Sequence, residues 1–429
     1  MEKKNMAYID YKHELRLYEA QFDIDLKDKL TKYFDIIYID DLNKINWKNY
    51  NLVLISSMIY VSKDLQSVYE QIKYLKSVNK VVILFHDLHD YSLDVNNSKL
   101  YKNTVLPKIK KCIPYLKDSD GKKLYQKLFN QFENSYMISI YDCPEFVFFR
   151  QYLNSVKKFY LINHSIPKSV FKPISCKKKY DILYYGRSNT AVYPLRVRIL
   201  RSMKNIISIR VKIIKYDENI TDDKLCKMIN ESWICITCIS NFSYFVRKYL
   251  EISSCNSIVC GDINPQGYKI IGTNMIYINR GMPNTKILEK VKYYLNNKDI
   301  MAALCFNKLE AVSKENYDCT AEKLNEICQN IQTGTQTRYQ YDGPIVGHPK
   351  QFTHTKKEID ISSKLDSGLY VYVCNVTDIE IKLADHKIVN KDNYIIDYDM
   401  LYIPFRLSTP LTIKFPENSK LFKIDVILE

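Results

Sequence analysis

Glu251 stands four residues after Arg247 and three after Lys248 in SNFSYFVRKYLEISSCNSIVCGDINPQG (residues 240–267). On a helix, positions four apart share a face. A carboxylate so placed can accept both hydroxyls of a ribose while a neighbouring base pairs with phosphate. Read blandly, the same three residues are a surface ion pair of little energetic weight. A second set lies in YDILYYGRSNTAVYPLRVRILRSM (180–203), where a strand-like run ends at Gly186, Arg187 and Ser188 before a helix bearing Arg196, Arg198 and Arg201. A small residue lets phosphate approach, arginine offers bidentate donors, and a helix N-terminus adds partial positive charge. The alternative is a strand-to-helix turn with solvated arginines. A third set, FHDLHDY (85–91), places His86, Asp87 and His89 directly after an apolar run, and Asp142 follows another in YDCPEF. Such residues suit contact with a polar ligand or general-base work. They also suit a polar loop, a helix cap for Asp142, or a metal site, although no distant carboxylate cluster accompanies them.

Several classes of chemistry are disfavoured. The 429 residues include only ten glycines, and neither G-x-G-x-x-G nor G-x-x-x-x-G-K-[ST] occurs. Dinucleotide dehydrogenases and P-loop enzymes need glycine where the backbone meets phosphate. Twelve cysteines are scattered without a framework, so reduced thiols are expected. Cys235 and Cys238 form a C-x-x-C inside the apolar run SWICITCIS. A buried strand there would point the two thiols to opposite faces, and no second pair completes a zinc site. The net charge of +15 favours anionic partners. Acidic residues are interspersed throughout, however, and no RNA-binding signature appears. No apolar run reaches the length of a membrane span, and charge interrupts the N-terminal stretch. A cytoplasmic location is expected.

The elements that must position these residues fall into two series. Strand-like runs at 6–11, 34–40, 51–57, 80–87, 135–142 and 157–165 alternate with amphipathic stretches such as 63–78. Short β-branched and aromatic runs ending at polar residues read as buried parallel strands. After a Pro-containing, basic linker (162–179), a second series has strands at 180–186, 207–216, 233–240, 257–262 and 274–280. Its helices are expected at 192–204, 221–231, 244–255, 286–298, 300–315 and 317–332. Two Rossmann-like domains joined by one linker would face each other across a cleft at the carboxyl ends of their strands. From Leu369 onward only short strands separated by turn residues remain, the pattern of a small β-sandwich. The expected division is 1–167, 168–335, a linker at 336–360, and an all-β accessory domain at 361–429.

The ordered series H-x-x-P, F-x-P, Y-D-I-L-Y-x-G-R, P-L-R and [RK]-x-x-E-I-x-x-C resembles the GT-B glycosyltransferases of the family 4 type, closest to the branch containing spore-maturation-like transferases. It covers roughly residues 80–333. The resemblance implies that Asn163-His164-Ser165 with Phe171-Lys172-Pro173 forms a hinge. It implies that Gly186 and Arg187 end the donor-side strand and that Glu251 binds the donor's ribose. Arg247 or Lys248 takes the place of the branch's basic residue. Ser243 stands where better-known members carry a second Glu, and Asn256 replaces a Gly after Cys255. Retaining and inverting outcomes therefore both stay open, the second needing His86, Asp87 or Asp142 as base. The implied reaction moves a sugar from a nucleotide sugar to a hydroxyl of a glycan or glycoprotein, with no cofactor and no metal. The alternative is a catalytically inactive nucleotide-sugar-binding or scaffold protein of the same fold. No nucleic-acid partner is expected; peripheral membrane contact and self-association stay open.

Overall fold

The computed structural model describes residues 5–10, 26–56, 70–85, 132, 134–141, 156–186, 193–204, 206–214, 220–239, 244–278 and 282–340, together with strands between 358 and 427. The chain divides into two compact units, Met1–Pro167 with Lys314–Ile345, and Lys168–Ser313 with Val346–Glu429.

In the first unit, strands β1 (Met6–Asp10), β2 (Asp35–Tyr38), β3 (Leu52–Ile55), β4 (Lys80–Phe85), β5 (Ser135–Ser139) and β6 (Val156–Leu161) form one sheet in the order β2-β1-β3-β4-β5-β6. All its pairings are parallel. β1 and β3 are buried along their whole length, which is why they read as unbroken apolar runs rather than alternating ones.

The second unit carries β7 (Tyr180–Tyr185), β8 (Val211–Ile214), β9 (Ser232–Ile236), β10 (Ile258–Gly261) and β11 (Ile276–Tyr277), ordered β11-β10-β9-β7-β8. These pairings are parallel as well. Helices α1 (Pro194–Met203), α2 (Asp222–Asn230), α3 (Lys248–Ser253), α4 (Pro265–Ile271), α5 (Asn284–Asn296) and α6 (Lys298–Val312) connect or follow the strands. The core is a single cluster of Ile182, Ile199, Ile234, Ile258, Ile287 and their neighbours. In both sheets the first strand lies between the second and the third, so the chain reverses its direction of travel beside that first strand. Such a reversal leaves a crevice at the carboxyl ends, where ligands of open α/β sheets bind. In the second unit that point is between β7 and β9.

Differences from the sequence reading have local causes. The helix expected at 244–255 is the shorter α3, preceded by Tyr244–Val246 in irregular backbone. α4 was not expected, because Pro265 and Gly267 look like turn residues. Yet Asn264 caps it, its side chain accepting the Gly267 N–H, with Pro265 in the first turn, as helix starts favour. Helix α7 (Tyr317–Thr333), read above with the second series, belongs to the first unit. There Lys80 Nζ donates to the carbonyls of Ile331 and Gln332 at 2.7 and 2.8 Å.

Beyond residue 357 the described strands are β12 (Glu358–Ile361), β13 (Gly368–Cys374), β14 (Glu380–Leu383), β15 (Ile395–Asp397), β16 (Met400–Ile403), β17 (Leu411–Lys414) and β18 (Lys420–Ile427). They pair antiparallel in two sheets, β12-β17-β14 and β15-β16-β13-β18.

Candidate functional site

At the β7/β9 reversal the second unit gathers its charged side chains. β7 is followed directly by Gly186, whose φ is +92°. A Cβ there would stand 2.7 Å from Lys248 Cε, 3.0 Å from its Nζ and 3.7 Å from Arg196 Nη1. The positive φ is what favours glycine here, and the missing Cβ leaves room for the end of the Lys248 side chain, with Arg196 at ordinary contact distance. Lys248 opens α3, and its Nζ lies 4.5 Å from the centre of the Tyr185 ring, within cation–π range. Burial of its ammonium is the main reason its pKa falls to about 8; Glu251 opposes the fall, while Arg196 and Arg247 reinforce it.

Glu251 has no exposed surface. Its Oε1 sits 3.0 Å from Arg247 Nε, and its Oε2 accepts the Tyr185 hydroxyl at 3.0 Å. Arg247 in turn reaches Asp222 Oδ2 in the first turn of α2 at 3.1 Å, and its guanidinium lies 5.7 Å from the Phe171 ring. Two carboxylates thus brace one arginine.

Arg196, on α1, is among the largest fully buried side chains of the described residues, 1% exposed. Its guanidinium stacks 3.8 Å from the Tyr193 ring centre, and Nη2 donates to the Cys238 carbonyl at 3.4 Å, just past β9. Its Nε has no hydrogen-bond partner among the described residues. Among the described residues the site therefore sets Arg196, Arg247 and Lys248 against Asp222 and Glu251. An excess of buried positive charge at the carboxyl end of a parallel sheet suits an anion.

The structure brings together Gly186, Arg247, Lys248 and Glu251 from the sequence-derived set. Arg187, Ser188, His86, Asp87 and Asp142 lie outside the described residues. Arg196 was visible in the sequence only as one of three helix cations; its P-L-R context and its place at a helix start were the available signals. Of the hinge-like residues, Asn163 and His164 are held by side chains of the first unit, while Phe171 lies in the second. His164 Nε2 meets the Tyr141 hydroxyl at 2.9 Å, and Asn163 Nδ2 donates to Glu315 Oε1 at 3.1 Å. Cys235 and Cys238 are both buried, Cys235 against the Ser257 hydroxyl at 3.1 Å and Cys238 in the core cluster. They form no common site.

No family profile matches the sequence, and no curated protein matches it. Solved structures do. Anabaena Alr3699/HepE in complex with UDP-glucose aligns with 76% of this chain and 99% of its own, at a TM-score of 0.50 and 10% identity. A glycosyltransferase from Rickettsia africae ESF-5 covers 78% and 100% at a TM-score of 0.48 and 11% identity. WaaG, a glycosyltransferase involved in lipopolysaccharide biosynthesis, covers 75% and 99% at 0.47 and 10%. At 10% identity the likeness to HepE is one of fold. Two α/β units on parallel sheets fit the GT-B class that the sequence led us to expect.

Proposed function

We propose that the chain is a glycosyltransferase of the family 4 type that takes a nucleotide sugar as donor and transfers the sugar to a hydroxyl of a glycan or glycoprotein. The observation that carries the reading is the convergence of Arg196 and Lys248 on the glycine that follows β7, with Glu251 and its partner Arg247 on the same helix start as Lys248. A diphosphate leaving group carries its developing charge where such preorganised cations act. Those cations would take the part a metal ion plays in other transferases, so activity should survive EDTA. That the HepE structure holds UDP-glucose agrees with this assignment. Arg187 and Ser188 are proposed to complete the phosphate site, and His86, Asp87 or Asp142 to supply a base if the reaction inverts. The strands at 358–427 are proposed as an accessory β-sandwich that docks acceptor or a second copy, and a cytoplasmic enzyme is the setting we favour.

The second reading is a nucleotide-sugar binder without turnover, and in either reading one observation bears on the ribose role of Glu251. Both oxygens of the enclosed Glu251 are already engaged. An ionised carboxylate offers about four acceptor positions, so a ribose hydroxyl has room only if it approaches between Tyr185 and Arg247. Glu251→Gln separates the roles. As a ribose ligand, its change should weaken nucleoside diphosphate binding by roughly 1.5–3 kcal/mol in calorimetry. Unchanged affinity in a folded variant would make Glu251 a brace for Arg247 and nothing more. Release of free nucleotide from intact donor then distinguishes enzyme from binder.

A further inference from the structure

Two of the twelve cysteines stand apart. Cys226 on α2 and Cys255, just past the end of α3, face each other with sulfurs 3.8 Å apart. Asn230 holds the pair from one side: its Nδ2 lies 3.4 Å from Cys226 Sγ and donates to the carbonyls of Cys226 and Lys172 at 2.9 and 3.0 Å. Its Oδ1 accepts the backbone N–H of Asn256, the residue after Cys255, at 3.0 Å. One amide side chain thus fixes both cysteine-bearing segments. The contact between the two sulfurs, in which either can donate, is the main reason the Cys226 thiol falls to about 6; the Asn230 Nδ2 contact helps and burial opposes. The same contact drives Cys255 well above the usual range. Elsewhere burial pushes Cys235 and Cys260 up to about 12, and raises Cys328. Among the described residues, Cys226 is the one cysteine shifted toward thiolate, and the thiolate is the reactive form.

We propose that Cys226 and Cys255 are a peroxide-responsive thiol pair that closes to a disulfide joining α2 to the end of α3. The Cys226 thiolate attacks one oxygen of a hydroperoxide; the O–O bond breaks, and the departing oxygen leaves as water or alcohol after taking a proton. Cys226 is then a sulfenic acid. Cys255 attacks that sulfur, the S–O bond breaks, and hydroxide leaves as water with the Cys255 proton. Two thiols lose two electrons and the peroxide gains them. Closing the bond brings the sulfurs from 3.8 Å to about 2.05 Å, a movement that α2 and α3 must absorb. The same helices carry Asp222, Arg247, Lys248 and Glu251. Oxidation therefore shifts the site's cations, and on the function proposed above it lowers donor affinity.

The test is thiol mapping of the full chain after exposure to hydrogen peroxide at neutral pH, with remaining thiols alkylated before digestion. The expected product is a peptide pair linked through Cys226 and Cys255, released by dithiothreitol, while Cys235, Cys260 and Cys328 stay reduced. In Cys255→Ser a dimedone probe should label Cys226; in Cys226→Ser, Cys255 should stay unlabelled. Recovery of both cysteines as alkylated thiols, under conditions that oxidise the more exposed Cys176 and Cys319, overturns the proposal. Mapping reads a covalent bond and needs no nucleotide, so it stands or falls apart from the donor-site reading. Formation of the disulfide with unchanged nucleoside diphosphate affinity overturns the coupling alone.

Discussion

Lys248 is where burial and charge meet. Its ammonium is enclosed against Tyr185 and the strand-end glycine, and burial lowers its pKa to about 8. At pH 7 it is charged. A diphosphate placed beside it stabilises the charged form and raises the pKa in the complex. Nucleoside diphosphate affinity should therefore be level between pH 7 and about 8, then fall above that, by at most about tenfold per pH unit for one linked proton. Calorimetry across this range checks it: Lys248→Met should bind more weakly at pH 7 and lose the slope. A wild-type profile level to pH 10 would remove Lys248 from the site. Arg247 and Glu251 were legible because a spacing of four is a local property of a helix. Arg196 was not assigned, since nothing local says which of three helix arginines turns inward. Its stacking on Tyr193 is local to the start of α1, but its bond to the Cys238 carbonyl exists only once α1 lies against the end of β9.

At the scale of elements, most strands and helices were readable, because buried parallel strands leave apolar runs and amphipathic helices leave a period. The exceptions show what those signals miss. β8 starts at Val211, later than its apolar run suggests, because residues 207–209 turn before it. β11 shrinks to Ile276–Tyr277, as it pairs only with β10 at the sheet's edge. Asn230 is the least predictable part. Wholly buried at the end of α2, it accepts the Ile174 and Asn256 N–H groups at 2.9 and 3.0 Å and donates to the Lys172 carbonyl. One side chain thus ties the segment before β7, helix α2 and the turn before β10. Asn230→Leu would take away the partner of the part-buried Ile174 and Asn256 N–H groups and the Lys172 carbonyl; water can replace some of these bonds, so the net cost is on the order of 1–3 kcal/mol. Urea unfolding should show a loss of roughly 1–3 kcal/mol. A loss under about 1 kcal/mol would mean that water or backbone adjustment replaces the bonds.

For the molecule as a whole, the reading of two α/β series agrees with the two parallel sheets. Which unit a helix joins was not legible, because α7 has the same amphipathic period whichever sheet it covers. Residues past it also belong to the first unit: the Leu161 N–H donates to the Tyr339 carbonyl at 2.9 Å, and Tyr160 bridges to Gln340. A truncation meant to remove only the C-terminal strands should therefore end after residue 345 rather than near 335. If those strands are accessory, residues 1–345 should keep nucleoside diphosphate affinity and donor hydrolysis while losing transfer to acceptor or self-association. A folded truncation that no longer binds nucleotide would make the strands part of the donor site. The most direct measurement is calorimetric titration of the full chain with a panel of nucleoside diphosphates and their parent nucleosides, repeated with Arg196→Met and Lys248→Met. The account predicts that at least one diphosphate binds without added metal, and that both variants weaken the diphosphate far more than the nucleoside. If no diphosphate binds the folded protein, or if the variants weaken diphosphate and nucleoside equally, the cation cluster is not a donor site.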